Sequence, residues 1–366
     1  MNLYTFEELI SPSVRQMNAY HVPPAHNMIK LDAMENPYLL PNEVAAELQS
    51  QLSRVNVARY PTADAALLVE KICNVFKVPE KCRVILGNGS DEIIQMLMLL
   101  LNHPMQGGGV LAVEPSFVMY RLLSMIIGVP YHGVSLNADF SLNVADVLQK
   151  MAETRPKVVF LAVPNNPTGN VFSQSDIIRI IEAAPGLVVV DEAYSAFTES
   201  NYLPLLPRYP NLLVMRTLSK IGLAGLRLGW LAGSNAVVHE LHKVRLPYNI
   251  NAYTQVAVAV ALDHFDAFIA QTRQICESRK ALFDELSTFS QFIVYKSEAN
   301  FLLVKLKEQS ATVIFQLLKD CGILVKCLHQ VHPLLENTLR ITVGTPKENN
   351  ALLAALRDIF TLREKA

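Results

Sequence analysis

From about residue 65 to residue 260, short runs of β-branched residues alternate with longer amphipathic segments. Five of these runs predict buried central strands, each bounded by Gly, Pro or polar residues that favour turns: 83–86, 110–113, 158–162, 187–190 and 212–216. Apolar strands separated by amphipathic helices are typical of a mainly parallel sheet wrapped by helices. The sequence therefore predicts an α/β protein.

The pattern changes after residue 253. A long helical segment is followed by strands in FIVYK, NFLLVKL and LRITVG, which alternate with helices near 312–321 and 347–361. We expect a large domain over residues 46–265 and a smaller α/β domain over residues 266–366. The N-terminal arm, residues 1–45, is rich in Pro and polar residues and is expected to pack on the smaller domain.

Composition narrows the classes of function. The 366 residues carry a formal net charge of -1. Proteins that bind nucleic acid or anionic lipid through their overall charge carry an excess of basic residues, so the composition disfavours both functions. The longest apolar stretches, such as 96–101 and 256–262, are far shorter than the roughly 20 residues that cross a bilayer. The first 20 residues lack the pattern of a secretory signal, and the five cysteines are scattered, so we expect a cytoplasmic protein with reduced thiols. His239 and His242 lack a third ligand nearby, so no metal site is predicted.

Residues with useful chemistry follow three predicted strands. Asp191 comes directly after GLVVV, Asn166 lies in PNNPTG after VVFLAV, and Lys220 ends TLSK after a third strand. Asp191 and PNNPTG each have an ordinary structural alternative, since an aspartate after a strand often caps the next helix and PNNPTG is also a good strand-to-helix turn. Open α/β sheets bind ligands at the carboxyl ends of their strands. Together, the three residues predict a site that offers an amide, a carboxylate and an amine.

A glycine turn supplies a possible anion site. In RVILGNGSDE a predicted strand runs through GNGS into a helix, whose first N–H groups and positive dipole end attract anions. Such turns are common, so this one alone does not identify a ligand.

Seven motifs occur in one order along the chain: GNGSDE, PSFVMY, PNNPTG, DEAY, TLSK, AGLRLG and LRITVG. In this order and spacing the chain resembles the fold-type I, class II aminotransferases that use pyridoxal 5'-phosphate (PLP), and within them the histidinol-phosphate aminotransferase family. The resemblance covers nearly the whole chain. It implies a three-layer αβα large domain around a mainly parallel mixed sheet, and PLP as the cofactor.

The resemblance implies a catalytic set of Lys220, Asp191 and Tyr194. Lys220 would bind PLP as a Schiff base and then act as a base, because the chemistry needs an amine that the substrate can displace. Asp191 would keep the pyridine nitrogen protonated, and Asn166 and Tyr194 would hydrogen-bond the cofactor's 3'-oxygen. Phe117 would stack on the ring.

The resemblance also assigns the cofactor phosphate to six residues: the backbones of Gly89, Ser90 and Asp91 and the side chains of Thr217, Ser219 and Arg227. Tyr60 matches a residue that reaches the phosphate in the neighbouring subunit, which implies a homodimer.

Substrate contacts are implied for Tyr20, Asn36, Lys326 and Arg340, where Arg340 offers a planar, permanently charged fork for an acidic group. The implied reaction is transamination between L-histidinol phosphate and 2-oxoglutarate, which gives imidazole acetol phosphate and glutamate in histidine biosynthesis. The sequence departs from the family pattern at Met34, where relatives often have Asn, and at Lys326, where several have Arg. The spacing from Lys220 to Arg227 is also one residue shorter than in many relatives.

Two other enzymes fit the same cofactor residues. They are an aromatic or general amino-acid aminotransferase and a PLP-dependent decarboxylase of an amino-acid phosphate, and the sequence leaves both open. A PLP-binding transcription regulator would carry a basic DNA-binding segment, which is not apparent before MENP. A nicotinamide dehydrogenase is disfavoured because GNGS is not GxGxxG.

Overall fold

A computed structural model describes residues 4–19, 24–103 and 108–364. Its main element is a seven-stranded mixed sheet with the order β2-β8-β7-β6-β5-β3-β4. The strands are β2 (Cys82–Asn88), β3 (Val110–Glu114), β4 (Tyr131–Ser135), β5 (Val158–Ala162), β6 (Leu187–Asp191), β7 (Leu212–Thr217) and β8 (Leu228–Ser234). Only β8 runs against the other strands of this sheet.

Helices cover both faces of the sheet. The α-helices of the described residues are α1 (Phe6–Leu9), α2 (Pro12–Arg15), α3 (Asn42–Leu52), α4 (Ala66–Phe76), α5 (Gly89–Leu101), α6 (Met119–Ile127), α7 (Val144–Thr154), α8 (Gln174–Ala183), α9 (Asn235–Val244), α10 (Ala252–Asp263), α11 (Phe265–Leu286), α12 (Ala311–Asp320) and α13 (Pro346–Glu364). None of those in the described residues combines the length and apolarity needed to span a membrane.

Alternate residues of each central strand face opposite layers. In β6, Val188 and Val190 pack in the core under α3, α4, α7, α8 and α10, whereas Val189 packs in the core under α5, α6 and α9. Both faces are apolar because a strand buried on two sides needs an unbroken apolar run. The predicted α/β class and three-layer arrangement are confirmed.

All five predicted strands of the large sheet are present, with one correction. The strand predicted at 83–86 is β2. It lies at an edge of the sheet rather than in its centre, and it pairs only with β8. Two strands of this seven-stranded sheet were missed. β4 is a short, partly exposed edge strand, and β8 contains Gly229 and Gly233, which weaken a strand pattern. Gly229 is needed because a Cβ there would lie 2.6 Å from the Ser90 nitrogen.

A smaller antiparallel sheet has the order β12-β13-β10-β9, formed by β9 (Phe292–Val294), β10 (Phe301–Leu306), β12 (Lys326–Cys327) and β13 (Thr338–Thr342). It shares a separate apolar core with α11, α12 and α13. Near the N-terminus, β1 (Ile29–Lys30) pairs in parallel with β11 (Ile323–Leu324). The long helical pattern after residue 253 is two helices, because α10 ends just before His264 and α11 begins just after it.

The topology brings the candidate residues to one edge. β5, β6 and β7 are parallel neighbours, with Ala162 opposite Asp191 and Asp191 opposite Met215, so the segments that follow these strands emerge side by side. The start of α5 follows β2 directly at Gly89. The site is therefore built from strand ends and one helix N-terminus.

Candidate active site

A cavity of about 400 Å³ lies at this edge of the sheet. Ten of the residues singled out in the sequence line it: Ser90, Asp91, Phe117, Asn166, Asp191, Tyr194, Thr217, Ser219, Lys220 and Arg227. The MENP segment also reaches it through Met34 and Glu35. The amine, the carboxylate and the amide predicted from three strand ends thus share one cavity.

Asp191, the last residue of β6, is a buried carboxylate with only 3% of its surface exposed. Its Oδ1 accepts a hydrogen bond from the Ala193 amide at 3.0 Å, and its Oδ2 accepts one from the Tyr120 hydroxyl at 2.6 Å. Burial raises the pKa of Asp191 to about 6, although both hydrogen bonds oppose this. Because both partners are neutral, the carboxylate is suited to a cationic ligand group.

Lys220 lies in a short 3₁₀ helix (Ser219–Ile221) that follows β7. Removal of its amine from water, and repulsion by the Arg340 guanidinium, lower the pKa of Lys220 to about 8. Its Nζ is 3.4 Å from the Ala33 carbonyl oxygen and 5.8 Å from the Tyr194 ring centroid. A lowered pKa leaves more neutral amine near physiological pH, which is the nucleophilic form.

Asn166 has a fixed orientation. Its Oδ1 accepts a hydrogen bond from Arg340 Nη1 at 2.6 Å, and a guanidinium can only donate, so the atom facing Arg340 must be the oxygen. The amide NH₂ is therefore the part that can donate to a ligand oxygen. Tyr194 is buried, and its ring packs edge-on against Phe301 with the ring centroids 5.3 Å apart. Burial raises the pKa of the Tyr194 hydroxyl, so the hydroxyl keeps its proton and can donate a hydrogen bond.

An anion pocket lies where α5 begins. Gly89 has a φ of +78°, and a Cβ at this position would lie 2.6 Å from Arg227 Nη2, so glycine lets the guanidinium lie over the start of the helix. Thr217 Oγ1 and Ser219 Oγ lie 2.9 Å apart and line the same cavity, and Arg227 Nη2 is 3.4 Å from Asp91 Oδ2. Helix N–H groups, hydroxyls and a guanidinium are donors that suit a phosphate.

A second cavity of about 330 Å³ adjoins the first and shares Met34, Phe117 and Asn166 with it. Four basic residues line this second cavity: Arg121, Lys326, His332 and Arg340. Glu114 also lines this cavity and pairs with Arg121 at 3.7 Å, and burial lowers the pKa of His332. Lys326 and Arg340 therefore supply the positive charge that suits an anionic substrate group. Sequence reasoning missed Arg121 and His332, which lie in no motif and were brought there by α6 and by the loop before a 3₁₀ helix (Pro333–Leu335).

Arg340 lies in β13 and is only 8% exposed. Its Nη1 donates to Asn166 Oδ1 and its Nη2 donates to the Asp32 carbonyl oxygen at 2.8 Å. Lys326 is its direct neighbour across β12 and β13. The guanidinium therefore lines the second cavity in a fixed direction and is hydrogen-bonded to Asn166, which lines both cavities.

Of the predicted site residues that the structure describes, Gly89, Asn36 and Tyr60 line neither cavity. The Asn36 side chain donates to the Ile221 carbonyl oxygen and to Gln271 Oε1, at 3.0 and 2.9 Å, and so ties the MENP segment to the loop after Lys220. Tyr60 is 80% exposed and stacks on Tyr248, with ring centroids 4.5 Å apart. Tyr20 lies outside the described residues.

Comparison with known proteins agrees with this geometry. The family model of the class I and II aminotransferases matches residues 26–356. The chain is 46% identical to a histidinol-phosphate aminotransferase of Chromobacterium violaceum over 97% of its own length and 99% of the relative's. It is 48% identical to a histidinol-phosphate aminotransferase 2 of Nitrosococcus oceani over 95% of its own length and 96% of the relative's. The solved structure of histidinol-phosphate aminotransferase from Sinorhizobium meliloti in complex with pyridoxal-5'-phosphate shares the fold, with a TM-score of 0.84, 21% identity and 98% coverage of each chain.

Proposed function

The chain belongs to the class I and II aminotransferases and, within them, to the histidinol-phosphate aminotransferase family, and from this premise we propose the reaction that it catalyses. It transfers the amino group of L-histidinol phosphate to 2-oxoglutarate, which gives imidazole acetol phosphate and glutamate in histidine biosynthesis. The observation that carries the proposal is the joining of two cavities, one suited to PLP and one suited to an anionic substrate.

The first cavity fits PLP. A buried carboxylate with neutral partners, Asp191, would be compensated by a protonated ring nitrogen. The start of α5 and Arg227 offer donors to a phosphate, and Phe117 offers a flat apolar face. When bound, PLP supplies an electron sink for the negative charge that develops at the substrate Cα.

The chain's own residues would do the remaining work. Lys220 would hold the cofactor through its amine, and the same amine would remove the proton from the substrate Cα. The Asp191 carboxylate would keep the proton on the ring nitrogen. The Tyr194 hydroxyl and the Asn166 NH₂ would donate hydrogen bonds to the 3'-oxygen of the cofactor and so help to hold it.

The second cavity would hold the acidic end of each substrate in turn. Arg340 and Lys326 contact the phosphate of histidinol phosphate and then a carboxylate of 2-oxoglutarate or glutamate. Since Arg340 also orients Asn166, binding of the anion and the position of the cofactor oxygen are coupled.

A half-reaction assay tests this function. Histidinol phosphate should convert the PLP absorbance of the purified protein to that of pyridoxamine phosphate, and 2-oxoglutarate should restore it. The Lys220→Ala variant should fail in both directions. Conversion by phenylalanine or tyrosine but not by histidinol phosphate would indicate the aromatic aminotransferase instead. Release of CO₂ from threonine phosphate would indicate the decarboxylase.

We also propose that the protein is a cytoplasmic homodimer in which Tyr60 reaches the phosphate site of the neighbouring subunit. Tyr60 is 80% exposed and stacks on Tyr248, which is 41% exposed, so a single subunit leaves this aromatic pair largely uncovered. Large exposed apolar surfaces mark interfaces.

Subunit mixing tests the shared site. Lys220→Ala and Tyr60→Ala subunits should each have low activity alone. A mixed dimer should regain one working site, because its Tyr60→Ala subunit keeps Lys220 and receives Tyr60 from its partner. No recovery after mixing would contradict the proposed arrangement.

A further inference from the structure

Tyr120 contacts the candidate active site, yet the roles proposed above leave it without a function. It lies in α6, is fully buried, and donates a hydrogen bond from its hydroxyl to Asp191 Oδ2 at 2.6 Å. We propose that Tyr120 is a positioning residue that holds the Asp191 carboxylate in one orientation and in its ionised form. The inference rests on the proposed function, because it takes Asp191 as the partner of the PLP ring nitrogen.

The Tyr120 hydroxyl has a fixed position. The Tyr120 ring stacks on Phe160 of β5, with centroids 4.7 Å apart and planes inclined by 14°. The Phe117 ring packs edge-on against the Tyr120 ring, with centroids 5.6 Å apart and planes inclined by 87°. An aromatic ring held on two sides has little freedom to rotate within a close-packed core. The hydroxyl is therefore delivered to one point beside β6.

The Asp191 carboxylate is held at both oxygens. The Ala193 amide binds Oδ1 at 3.0 Å while the Tyr120 hydroxyl binds Oδ2 at 2.6 Å. Rotation of the carboxylate about its Cβ–Cγ bond would break both hydrogen bonds. Without the Tyr120 hydroxyl, only the Ala193 hydrogen bond of these two would remain. The carboxylate could then turn about that one bond.

Tyr120 is always a donor in this pair. Burial, together with the negative charge of Asp191, raises the pKa of Tyr120 well above its usual range. The neighbouring hydroxyls of Tyr194 and Tyr131 act in the same direction. The phenol therefore keeps its proton and stabilises the carboxylate rather than competing with it for charge.

Several groups work against the ionised form of Asp191. Burial has the largest effect on its pKa, and the nearby Asp91 and Glu192 carboxylates add to it. The charge of Glu192 is mostly compensated, since it pairs with Arg216 at 2.6 Å. The Tyr120 hydroxyl and the Ala193 amide, which are neutral, lower the pKa of Asp191 and so favour the ionised carboxylate.

The proton between Asp191 and the ring nitrogen can lie on either partner. A hydrogen bond to a charged group favours the charged form by about ten- to a hundred-fold. Loss of the Tyr120 hydroxyl should therefore shift the proton toward the carboxyl by about that factor. A ring nitrogen without its proton accepts electrons poorly, so proton removal from the substrate Cα should slow.

The test compares the unaltered protein with Tyr120→Phe, both loaded with PLP labelled with ¹⁵N in the ring. In the unaltered protein, the ¹⁵N resonance should lie at the position of a protonated ring. In Tyr120→Phe it should move toward the position of neutral pyridine, and kcat should fall by about ten-fold or more with little change in KM. A ring that keeps its protonated resonance in Tyr120→Phe would overturn the inference, whatever happens to stability.

Two control variants separate this role from packing. Tyr209→Phe also removes a hydroxyl that donates to a carboxylate, Glu182 Oε1 at 2.9 Å, but Tyr209 lines neither cavity of the candidate site, so the resonance should not move. Ser124→Ala removes another fully buried hydroxyl of α6, one that donates to the Tyr120 backbone carbonyl oxygen at 2.7 Å, and leaves the Tyr120 hydroxyl and both of its ring contacts in place. If Ser124→Ala moves the resonance as far as Tyr120→Phe does, a general disturbance of α6 explains the effect and the inference is wrong. An unprotonated ring in the unaltered protein would overturn the proposed role of Asp191 as well.

Discussion

Replacement of Glu192 by glutamine should destabilise the protein by about 3–5 kcal/mol, the cost of leaving one partner of a buried ion pair alone. Glu192 follows Asp191 in the chain and is fully buried. Its Oε2 accepts from Arg216 Nε at 2.7 Å and pairs with Arg216 Nη2 at 2.6 Å. Its Oε1 accepts from the Tyr202 amide at 2.7 Å.

The magnitude follows from the geometry. Three N–H groups converge on two carboxylate oxygens, and glutamine can offer only one oxygen and one NH₂ group. In either orientation its NH₂ group faces an N–H donor, so a buried donor loses its acceptor while Arg216 loses its counter-charge. Arg216 retains Asn201 Oδ1 at 2.9 Å and the Trp230 ring at 5.6 Å, which are neutral partners.

Urea unfolding at fixed protein and PLP concentrations measures the effect, since both concentrations influence the apparent stability. Glu240→Gln is a matched control, because Glu240 pairs with Lys243 at 2.6 Å on an exposed helix surface and its loss should change the midpoint little. If Glu192→Gln shifts the midpoint no more than Glu240→Gln, the reasoning about the buried pair is refuted.

Three further predictions concern the site itself. The rate at which the cofactor-free protein captures PLP should rise with pH and reach its midpoint near the pKa of Lys220, about 8, because the amine is neutral above that pH; a midpoint near 10 would contradict the assigned environment. Arg340→Gln should raise KM for both histidinol phosphate and 2-oxoglutarate by about a hundred-fold or more, through loss of charge-assisted hydrogen bonds, while the PLP absorbance persists; an unchanged KM would exclude Arg340 from substrate binding. Gly89→Ala should weaken PLP binding by about ten-fold or more, because a Cβ would displace Arg227 and strain a φ of +78°; equal affinity in a titration would refute this.

The parts of the site that could be predicted from sequence are those encoded locally. Asp191, Asn166 and Lys220 each follow an apolar strand within a few residues, and parallel neighbouring strands place such residues at one edge. The start of α5 was recognisable for the same reason, since its glycine turn lies directly between a strand and a helix.

Other features depend on contacts between distant segments. Asn36 was expected at the substrate, but its amide binds Ile221 and Gln271, which lie 185 and 235 residues away in the chain. Tyr120 was passed over within PSFVMY because only the fold shows that its hydroxyl meets Asp191, 71 residues later. Strand β8 was missed because two glycines remove the side chains that identify a strand: Gly229, which is needed for close packing against α5, and Gly233, which is needed beside Leu213 of β7.

The most direct test of the account is the site of covalent attachment. Protein loaded with PLP is reduced with borohydride and digested, and the peptide that carries the pyridoxyl group is sequenced. The label should be on Lys220, the lysine among the residues that line the cavity beside Asp191. A label on any other lysine, or a protein that takes up no PLP, would contradict the assignment of this cavity as the active site.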